Sequence, residues 1–299
     1  MTLTNEQVIE IALKHGLKLQ QNSLVRNESG LDFQVVFASD DAGEKWVLRL
    51  PRRNDVVPTA KKEKKILELV KGKLPIQSPV WEVFSDDLIA YKQLKGVPAG
   101  TIDPEAKAYV WEIDEKNVPT HFNQTLGKAM VALHNVDHKG VLEIGIPTKG
   151  PKDIRVSMKE RMDNVKSEFG VGEELWKRWQ NWLQNDDFWP KQTAFIHGDL
   201  HAGHILIDRG TQVTGFIDWT EARVDDPAHD FVSHNMIFGE KALKELMKAY
   251  EEAGGYVWPK MFEHIMELTA AYPVGIAEFA IKSDLDEYKE MAKQTLGVK

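Results

Sequence analysis

The sequence of 299 residues contains no cysteine. Disulfide bridges, thiolate zinc sites and cysteine nucleophiles are therefore excluded. An excess of basic residues is also missing, since 38 Lys and Arg stand against 46 Asp and Glu, which gives a net charge of −8. This balance argues against nucleic acid or an anionic membrane as the main partner.

Long apolar runs are missing as well. No run reaches the roughly 18 residues of a membrane span, and residues 1–16 have neither the basic start nor the apolar segment of a signal peptide. We therefore expect a cytoplasmic protein without a membrane partner, and we expect it to act as a monomer. The chain is long enough, and with 42% apolar residues apolar enough, to form two domains or lobes.

Residues up to about 95 have the pattern of a small sheet with one internal helix. The segments "DFQVVFAS" and "KWVLRLP" flank "DDAG", which predicts a β-hairpin with Gly43 in its turn. Apolar spacing predicts a helix over 59–71, and "SPVWEVFSDDLIAYKQL" predicts two further strands.

The pattern changes at "KGVPAG", residues 95–100, after which helical periodicity dominates except over 195–218. The sequence thus predicts an α+β protein with a β-rich N-terminal lobe, 1–95, and a larger, mostly helical C-terminal lobe, 96–299. We expect a ligand site at the junction of the two lobes.

The most polar part of this exception is "FIHGDLHAGHILID", residues 195–208, which allows three interpretations. One is a loop whose polar side chains cap turns. Another is a zinc site formed by His197, Asp199, His201 and His204. Zinc hydrolases normally hold their histidines on one face of a helix or strand, whereas Gly198 and Gly203 favour a turning loop here.

The third interpretation is phosphoryl transfer. It requires a carboxylate near the attacking hydroxyl, a metal ligand about five residues later and a second metal-binding aspartate at the end of a following strand. Asp199, His204 and Asp218 have this order, with a predicted hairpin between the last two. Imidazole is an unusual ligand for Mg²⁺, which prefers oxygen, and His204 must be neutral to bind it.

"HGDLHAGHILI" followed by "GFIDW" resembles the catalytic loop and metal-binding segment of the aminoglycoside phosphotransferase family, which is related to the protein kinases. His204 stands where most of that family has asparagine. With "VTGFIDWTEARVDDPAHDF" and "YPVGIAEFAIKS", this histidine is similar to the pattern of the macrolide 2′-phosphotransferases, which are bacterial resistance enzymes. The resemblance extends over essentially the whole chain and implies a bilobal, protein-kinase-like fold.

By this resemblance, Asp199 is the catalytic base, and His204 and Asp218 hold Mg²⁺ against the phosphates of the nucleotide. The resemblance gives structural roles to His197, which supports the loop, and to Asp230, which connects it to the next helix.

The resemblance also implies nucleotide contacts in the N-terminal lobe. Arg49 occupies the position of a phosphate-pairing lysine, and Glu63 orients it; a salt-bridged surface arginine is the alternative. The other implied contacts are Ser29 in the phosphate-covering loop, the backbone of Gln93 and Leu94 at the base, Leu206 at the floor of the pocket and Ile217 at its rear.

A macrolide needs an apolar pocket with an acidic group for the amine of its sugar. The candidate pocket residues are Met236, Tyr272, Pro273, Ala277 and Phe279, and Glu278 is the candidate partner of the ammonium ion. Ordinary core packing of Tyr272 and Phe279, and a solvent-facing Glu278, remain alternatives.

The function implied is transfer of the γ-phosphate of GTP, or of ATP, to the 2′-hydroxyl of a macrolide, which inactivates the antibiotic. A kinase of another alcohol, such as an aminoglycoside, choline or a sugar, is an alternative. The lack of an obvious acidic cluster in the C-terminal segment fits a polycationic aminoglycoside less well. A catalytically inactive nucleotide-binding module is a further alternative, against which the complete set of Asp199, His204 and Asp218 argues.

Overall fold

The computed structural model describes residues 3–27, 30, 32–103 and 108–298. Its helices are α1 (Asn5–Lys14), α2 (Val57–Val70), α3 (Thr120–His134), α4 (His138–Glu143), α5 (Pro151–Phe169), α6 (Glu173–Gln184), α7 (His229–Glu252), α8 (Met261–Ala270), α9 (Tyr272–Ser283) and α10 (Asp286–Thr295). Its strands are β1 (Val25–Asn27), β2 (Phe33–Ser39), β3 (Lys45–Pro51), β4 (Trp81–Phe84), β5 (Ile89–Lys92), β6 (Val97–Pro98), β7 (Gly100–Asp103), β8 (Ala108–Trp111), β9 (Ala194–Ile196), β10 (Ile205–Ile207), β11 (Val213–Phe216) and β12 (Arg223–Asp225). Within these described ranges, no helix combines the length and the apolar character that a membrane span needs.

Contacts between residues divide the chain into two compact units. The first unit comprises Met1–Asp114 and Ala202–Ala222, and the second comprises Glu115–His201 and Arg223–Lys299. The hairpin of β10 and β11 therefore belongs to the first unit, although it lies far along the chain.

The first unit is built on an antiparallel sheet with the strand order β1-β2-β3-β5-β4. β2 and β3 form the hairpin that "DDAG" predicted. Gly43 has a φ of +85°, and its N–H donates to the carbonyl of Asp40 at 2.9 Å. A positive φ is what glycine allows at low strain, so this local prediction is confirmed.

The two faces of this sheet are covered by different helices. Trp46, Leu48 and Leu50 of β3 belong to a buried cluster that includes Val8 and Ala12 of α1. Val47 belongs to a cluster on the other face, which includes Ala60 of α2. Because successive side chains of a strand point to opposite faces, Arg49 shares the face of Val47 and points towards α2.

The residues after 95 contain strands where the sequence predicted helical periodicity. β6, β7 and β8 follow one another there in the first unit. β7 and β8 pair with Gly100 opposite Trp111, and a Cβ at Gly100 would lie 2.5 Å from the indole ring. The β-branched and aromatic residues of 101–111 are typical of strands. The sequence therefore contained a strand signal, but the prediction followed the helical periodicity of the later residues.

The second unit is mainly helical, and its centre is the packing of α3 against α7. A Cβ at Gly127 of α3 would lie 2.8 Å from the backbone nitrogen of Tyr250 in α7, so the close approach of the two helices requires glycine. α7 is interrupted at Gly239, where φ is +79°. A short ladder of β9 and β12 completes this unit, with Phe195 opposite Val224.

Two of the three tryptophans of α6 are buried in the core. Trp179 and Trp182 are 0% and 2% exposed. Trp176 is half-buried, and the ammonium of Lys166 lies 3.8 Å from the centre of its indole ring. Trp179 and Trp182 therefore belong to the core of the second unit.

Candidate active site

The first unit holds a buried ion pair between β3 and α2. Arg49 Nη1 donates to both carboxylate oxygens of Glu63, at 2.8 Å each. The side chains are 12% and 0% exposed, and the guanidinium lies 4.4 Å from the centre of the Phe33 ring. The predicted pairing is confirmed, and the alternative of a surface arginine is wrong. The contact of Arg49 with phosphate stays a prediction.

The ion pair fixes a positive charge that does not titrate. Burial disfavours the charge of Arg49, but the adjacent Glu63 carboxylate outweighs burial and raises the pKa of the guanidinium. Burial raises the pKa of Glu63, against the effect of the Arg49 charge. Because a buried charge without its partner is strongly destabilising, each residue restricts the position of the other.

Asp218, which follows β11, has a left-handed backbone conformation with a φ of +62°. This conformation is strained for a residue other than glycine. Its Oδ1 accepts a hydrogen bond from Thr220 Oγ1 at 2.8 Å, and the N–H of Trp219 donates to Glu63 Oε1 at 3.4 Å. The segment is therefore held to the ion pair, and the carboxylate of Asp218 is oriented by its own neighbour.

His204 and Asp218 come together at one end of the β10–β11 hairpin. The carbonyl of His204 accepts the N–H of Ile217 at 3.1 Å, and His204 Nε2 lies 3.8 Å from Asp218 Oδ2. Two ligands of one Mg²⁺, each about 2.1 Å from the ion, are about 3 to 4 Å apart. The Asp218 side chain is 44% exposed, and Thr220 orients it as an outer partner orients a ligand. These residues fit a divalent ion.

The backbone before Asp199 is held by Asp230 in the second unit. Asp230 Oδ2 accepts the N–H of His197 at 2.9 Å, and Oδ1 accepts the N–H of Gly198 at 2.8 Å. His197 is fully buried and Asp230 is 2% exposed, whereas Asp199 is exposed. The predicted role of Asp230 is confirmed. The loop thus combines a fixed backbone with an accessible carboxylate.

Asp230 has one further partner that the sequence did not predict, His134, and His134 in turn contacts Tyr250. His134 Nε2 lies 3.1 Å from Asp230 Oδ2, and His134 Nδ1 lies 2.8 Å from the hydroxyl of Tyr250. Burial opposes ionisation of Asp230, but the hydrogen bonds from His134 and from the amide of Gly198 lower its pKa. A histidine at the end of the apolar stripe "AMVALH" was the one signal that could have found this network.

The remaining predicted nucleotide contacts are Ser29, Gln93, Leu94, Leu206 and Ile217. Ser29 lies outside the described residues. Gln93 extends the sheet, since its N–H donates to the carbonyl of Lys45 at 2.8 Å; its predicted contact with a base therefore concerns the carbonyl oxygen. Leu206 is buried in β10, while Leu94 and Ile217 are half-buried.

The predicted acceptor residues lie in α7 and α9. Met236, Tyr272 and Phe279 are 46%, 52% and 40% exposed, so ordinary core packing of the two aromatic residues is wrong. Pro273 lies in the first turn of α9, where proline is favoured. Ala277 is 0% exposed and offers no accessible surface to a ligand, which corrects that part of the prediction.

Glu278 is engaged within the second unit. Arg161 of α5 donates from Nε to Oε1 and from Nη2 to Oε2, both at 2.7 Å. A planar pair of this kind is among the stronger ionic contacts. The alternative of a merely solvent-facing Glu278 is wrong, and its pairing with an ammonium ion stays a prediction in which the ligand competes with Arg161.

Comparison with known proteins decides the family. The family model described as "Phosphotransferase enzyme family" matches residues 23–264. The chain belongs to this family. It is 45% identical to the uncharacterized protein YcbJ of Bacillus subtilis (strain 168), over 100% of this chain and 99% of that protein.

Two macrolide 2′-phosphotransferases have similar solved structures. Macrolide 2′-phosphotransferase type I is 39% identical, with a TM-score of 0.89 and coverage of 99% of both chains. The apoenzyme MphH from Brachybacterium faecium is 33% identical, with a TM-score of 0.91 and coverage of 97% of both chains. The resemblance that the motifs indicated is confirmed.

A third similar structure is that of the GDP and kanamycin complex of APH(2″)-IIIa. Its protein chain is 18% identical in sequence, with a TM-score of 0.77 and coverage of 98% of this chain and 97% of that chain. At this identity the likeness concerns the fold. The predicted α+β, kinase-like fold is thus confirmed. This protein is a phosphotransferase that acts on a hydroxyl group.

Proposed function

We propose that this phosphotransferase transfers the γ-phosphate of GTP to the 2′-hydroxyl of a macrolide and thereby inactivates the antibiotic. The observation that carries the proposal is the likeness, over nearly the whole length, to two macrolide 2′-phosphotransferases. The histidine at position 204, where most of the wider family has asparagine, supports the same acceptor class.

The first unit supplies the groups for the nucleotide. Arg49, held by Glu63, pairs with the phosphates through a charge that does not titrate. His204 and Asp218 hold Mg²⁺. A bound Mg²⁺ neutralises the charge of the phosphates during transfer. The remaining contacts proposed are those of Ser29, Gln93, Leu94, Leu206 and Ile217.

Asp199 is the group proposed to act on the acceptor. The acceptor oxygen forms a bond to the γ-phosphorus, the bond from that phosphorus to the bridging oxygen breaks, and the carboxylate of Asp199 takes the proton of the hydroxyl. Such reactions depend mainly on how the reacting groups are positioned. The fixed backbone before Asp199 therefore matters as much as the charge of its carboxylate.

The acceptor surface proposed is apolar. Tyr272 and Phe279 lie seven residues apart, on one exposed side of α9, and Met236 of α7 is also exposed. An apolar surface with few polar groups suits a large, mostly apolar ring. Glu278 is adjacent to Phe279 in sequence, and we propose that it meets the protonated amine of the sugar.

The experiment is a transfer assay with mass spectrometry. The protein is incubated with Mg²⁺, with GTP or ATP, and with a macrolide, the same macrolide acetylated at its 2′-hydroxyl, or an aminoglycoside. We expect one phosphate on the free macrolide and none on the blocked one. The Asp199→Asn variant is the protein control.

Other outcomes discriminate between the alternatives. If only aminoglycosides gain a phosphate, the acceptor is an aminoglycoside and the macrolide proposal is wrong. Thermal stabilisation by nucleotide, without transfer to any alcohol of the panel, would favour a nucleotide-binding module. A higher kcat/KM with ATP than with GTP would show that ATP is the preferred donor. The proposal for the acceptor would not be affected.

A further inference from the structure

Three buried side chains of the second unit form a continuous path from α7 to the loop before Asp199. Tyr250 is 1% exposed, His134 is 7% exposed and Asp230 is 2% exposed. The hydroxyl of Tyr250 contacts His134, His134 contacts Asp230, and Asp230 accepts the N–H groups of His197 and Gly198. The path thus ends one residue before the proposed catalytic base.

The chemistry of these groups fixes the direction of each hydrogen bond. An ionised Asp230 only accepts, so His134 must donate to it from Nε2. A neutral imidazole that donates from Nε2 accepts at Nδ1, and the hydroxyl of Tyr250 must then donate to it. Burial raises the pKa of Tyr250, which keeps the phenol protonated. Tyr250 therefore selects the form of His134 that can donate to Asp230.

The Tyr250 ring is buried but is not closely packed on every side. One side of the ring is confined by Gly255, where an added Cβ would lie 2.2 Å from it. Another side borders a cavity of about 410 Å³, which His134, Pro227 and Tyr256 also line. Without its hydrogen bond to His134, the ring has space into which it can move.

We propose that Tyr250 and His134 are positioning residues for the phosphate transfer. They hold the carboxylate of Asp230, which in turn holds the two amides that precede Asp199. The effect on turnover rests on the proposed function, whereas the effect on the loop does not. Neither residue contacts the reacting atoms in this scheme.

Two tyrosines of the same cavity provide matched variants. Tyr250→Phe removes the hydroxyl that donates to His134. Tyr256→Phe removes a hydroxyl that accepts the N–H of Lys191 at 3.1 Å. Each variant loses one hydroxyl and keeps its ring, and only Tyr250→Phe loses the contact with His134. Because the Tyr250 hydroxyl also bonds the backbone of Tyr256, the His134 variants complete the test.

A second pair of variants tests His134 itself. His134→Leu removes both hydrogen bonds. His134→Gln keeps a side-chain N–H that can donate to Asp230 and therefore rescues the function in part. If His134→Leu does not fold, the tyrosine pair still carries the test.

The first measurement is amide hydrogen exchange at residues 197 and 198, which needs no substrate. We expect exchange at these amides to be about tenfold faster in Tyr250→Phe and unchanged in Tyr256→Phe, since the opening free energy falls by about one hydrogen bond. The second measurement is steady-state kinetics. In Tyr250→Phe we expect kcat to fall about tenfold while KM changes less than about twofold, because a displaced base weakens the transition state and not ground-state binding.

Equal exchange at residues 197 and 198 in the two tyrosine variants would overturn the proposal, whatever the turnover. Faster exchange in Tyr250→Phe with an unchanged kcat would overturn the positioning role. Lack of transfer by the unaltered protein counts against the proposed function alone, because the exchange measurement would still report on the path.

Discussion

Each unit uses a buried acidic side chain to hold part of the candidate site, but the partners of these acids differ in kind. In the first unit, Glu63 pairs with the guanidinium of Arg49. In the second unit, Asp230 pairs with the imidazole of His134. The guanidinium can only donate hydrogen bonds, whereas an imidazole can donate from one nitrogen and accept at the other.

This difference extends through the second unit. Eight of the ten histidines belong to it, all except His15 and His204. Asp226 forms a second buried pair of the same kind with His264, at 2.6 Å and with both side chains 0% exposed. The two units thus hold their site residues in a similar way, but the second relies on imidazoles where the first uses a guanidinium.

The largest effect concerns the exposed aspartate of the second unit. Asp199→Asn should lower kcat about 10³-fold, because a positioned general base contributes about 10² to 10⁴. Stability should not change, since the side chain is exposed. Steady-state kinetics and thermal unfolding measure the two quantities. Asp41→Asn, at another exposed aspartate, is the control; a loss of less than tenfold in Asp199→Asn would show that the carboxylate is not the base.

The next largest effect is expected from a substitution that breaks the ion pair of the first unit. Arg49→Met leaves Glu63 buried without its cation and should lower the free energy of unfolding by about 3 kcal/mol. Replacing both, in Arg49→Met/Glu63→Leu, should recover most of this stability, yet nucleotide binding should stay lost. Urea unfolding and nucleotide titration measure the two properties.

The control for this pair is Arg53→Met. The side chain of Arg53 is 54% exposed and pairs with Asp32 at the surface, so its removal should leave stability close to that of the unaltered protein. If the double substitution were as unstable as Arg49→Met alone, the uncompensated charge would not be the cause of the loss.

The third effect is the response of the second unit to acid. Burial lowers the pKa of His234 to about 4 in the folded protein, from 6.5. The unfolded chain therefore binds the proton first, and stability falls as the pH drops from about 6.5 to about 4, by about 3 kcal/mol for this group. His234→Phe should flatten the pH dependence of the unfolding free energy, and His121→Phe, at an exposed histidine, should not. The same slope in both variants would refute this origin.

The smallest effect concerns the choice of metal in the first unit. An imidazole nitrogen suits Mn²⁺ better than Mg²⁺, whereas an amide oxygen suits Mg²⁺. His204→Asn should therefore lower the ratio of Mn²⁺-supported to Mg²⁺-supported turnover about threefold. His15→Asn, at the other histidine of that unit, should leave the ratio unchanged. An unchanged ratio in His204→Asn would remove His204 from the ligands.

Local patterns made much of the first unit predictable. The "DDAG" hairpin follows from turn chemistry. The resemblance implied the pairing of Arg49 with Glu63, and strand alternation with a carboxylate on the buried side of α2 explains it physically. Pairing of His204 with Asp218 follows from the hairpin between them. In each case the information lies within one or two neighbouring elements.

Contacts of the second unit were less accessible to such reasoning. Tyr250 lies 116 residues from His134, and Glu278 lies 117 residues from Arg161. These contacts depend on how the helices pack, for example on the close approach that Gly127 permits. The spacing of apolar residues within one helix does not indicate which helix it packs against. The confirmed role of Asp230 came from the resemblance and not from periodicity.

The left-handed backbone at Asp218 has a consequence for how this chain can evolve. Glycine suits that conformation better by about 1 kcal/mol but carries no carboxylate. Selection for heat resistance and selection for phosphate transfer should therefore drive this one codon in opposite directions. Among descendants that no longer need the reaction, glycine at 218 should be an early sign that the chemistry has been abandoned.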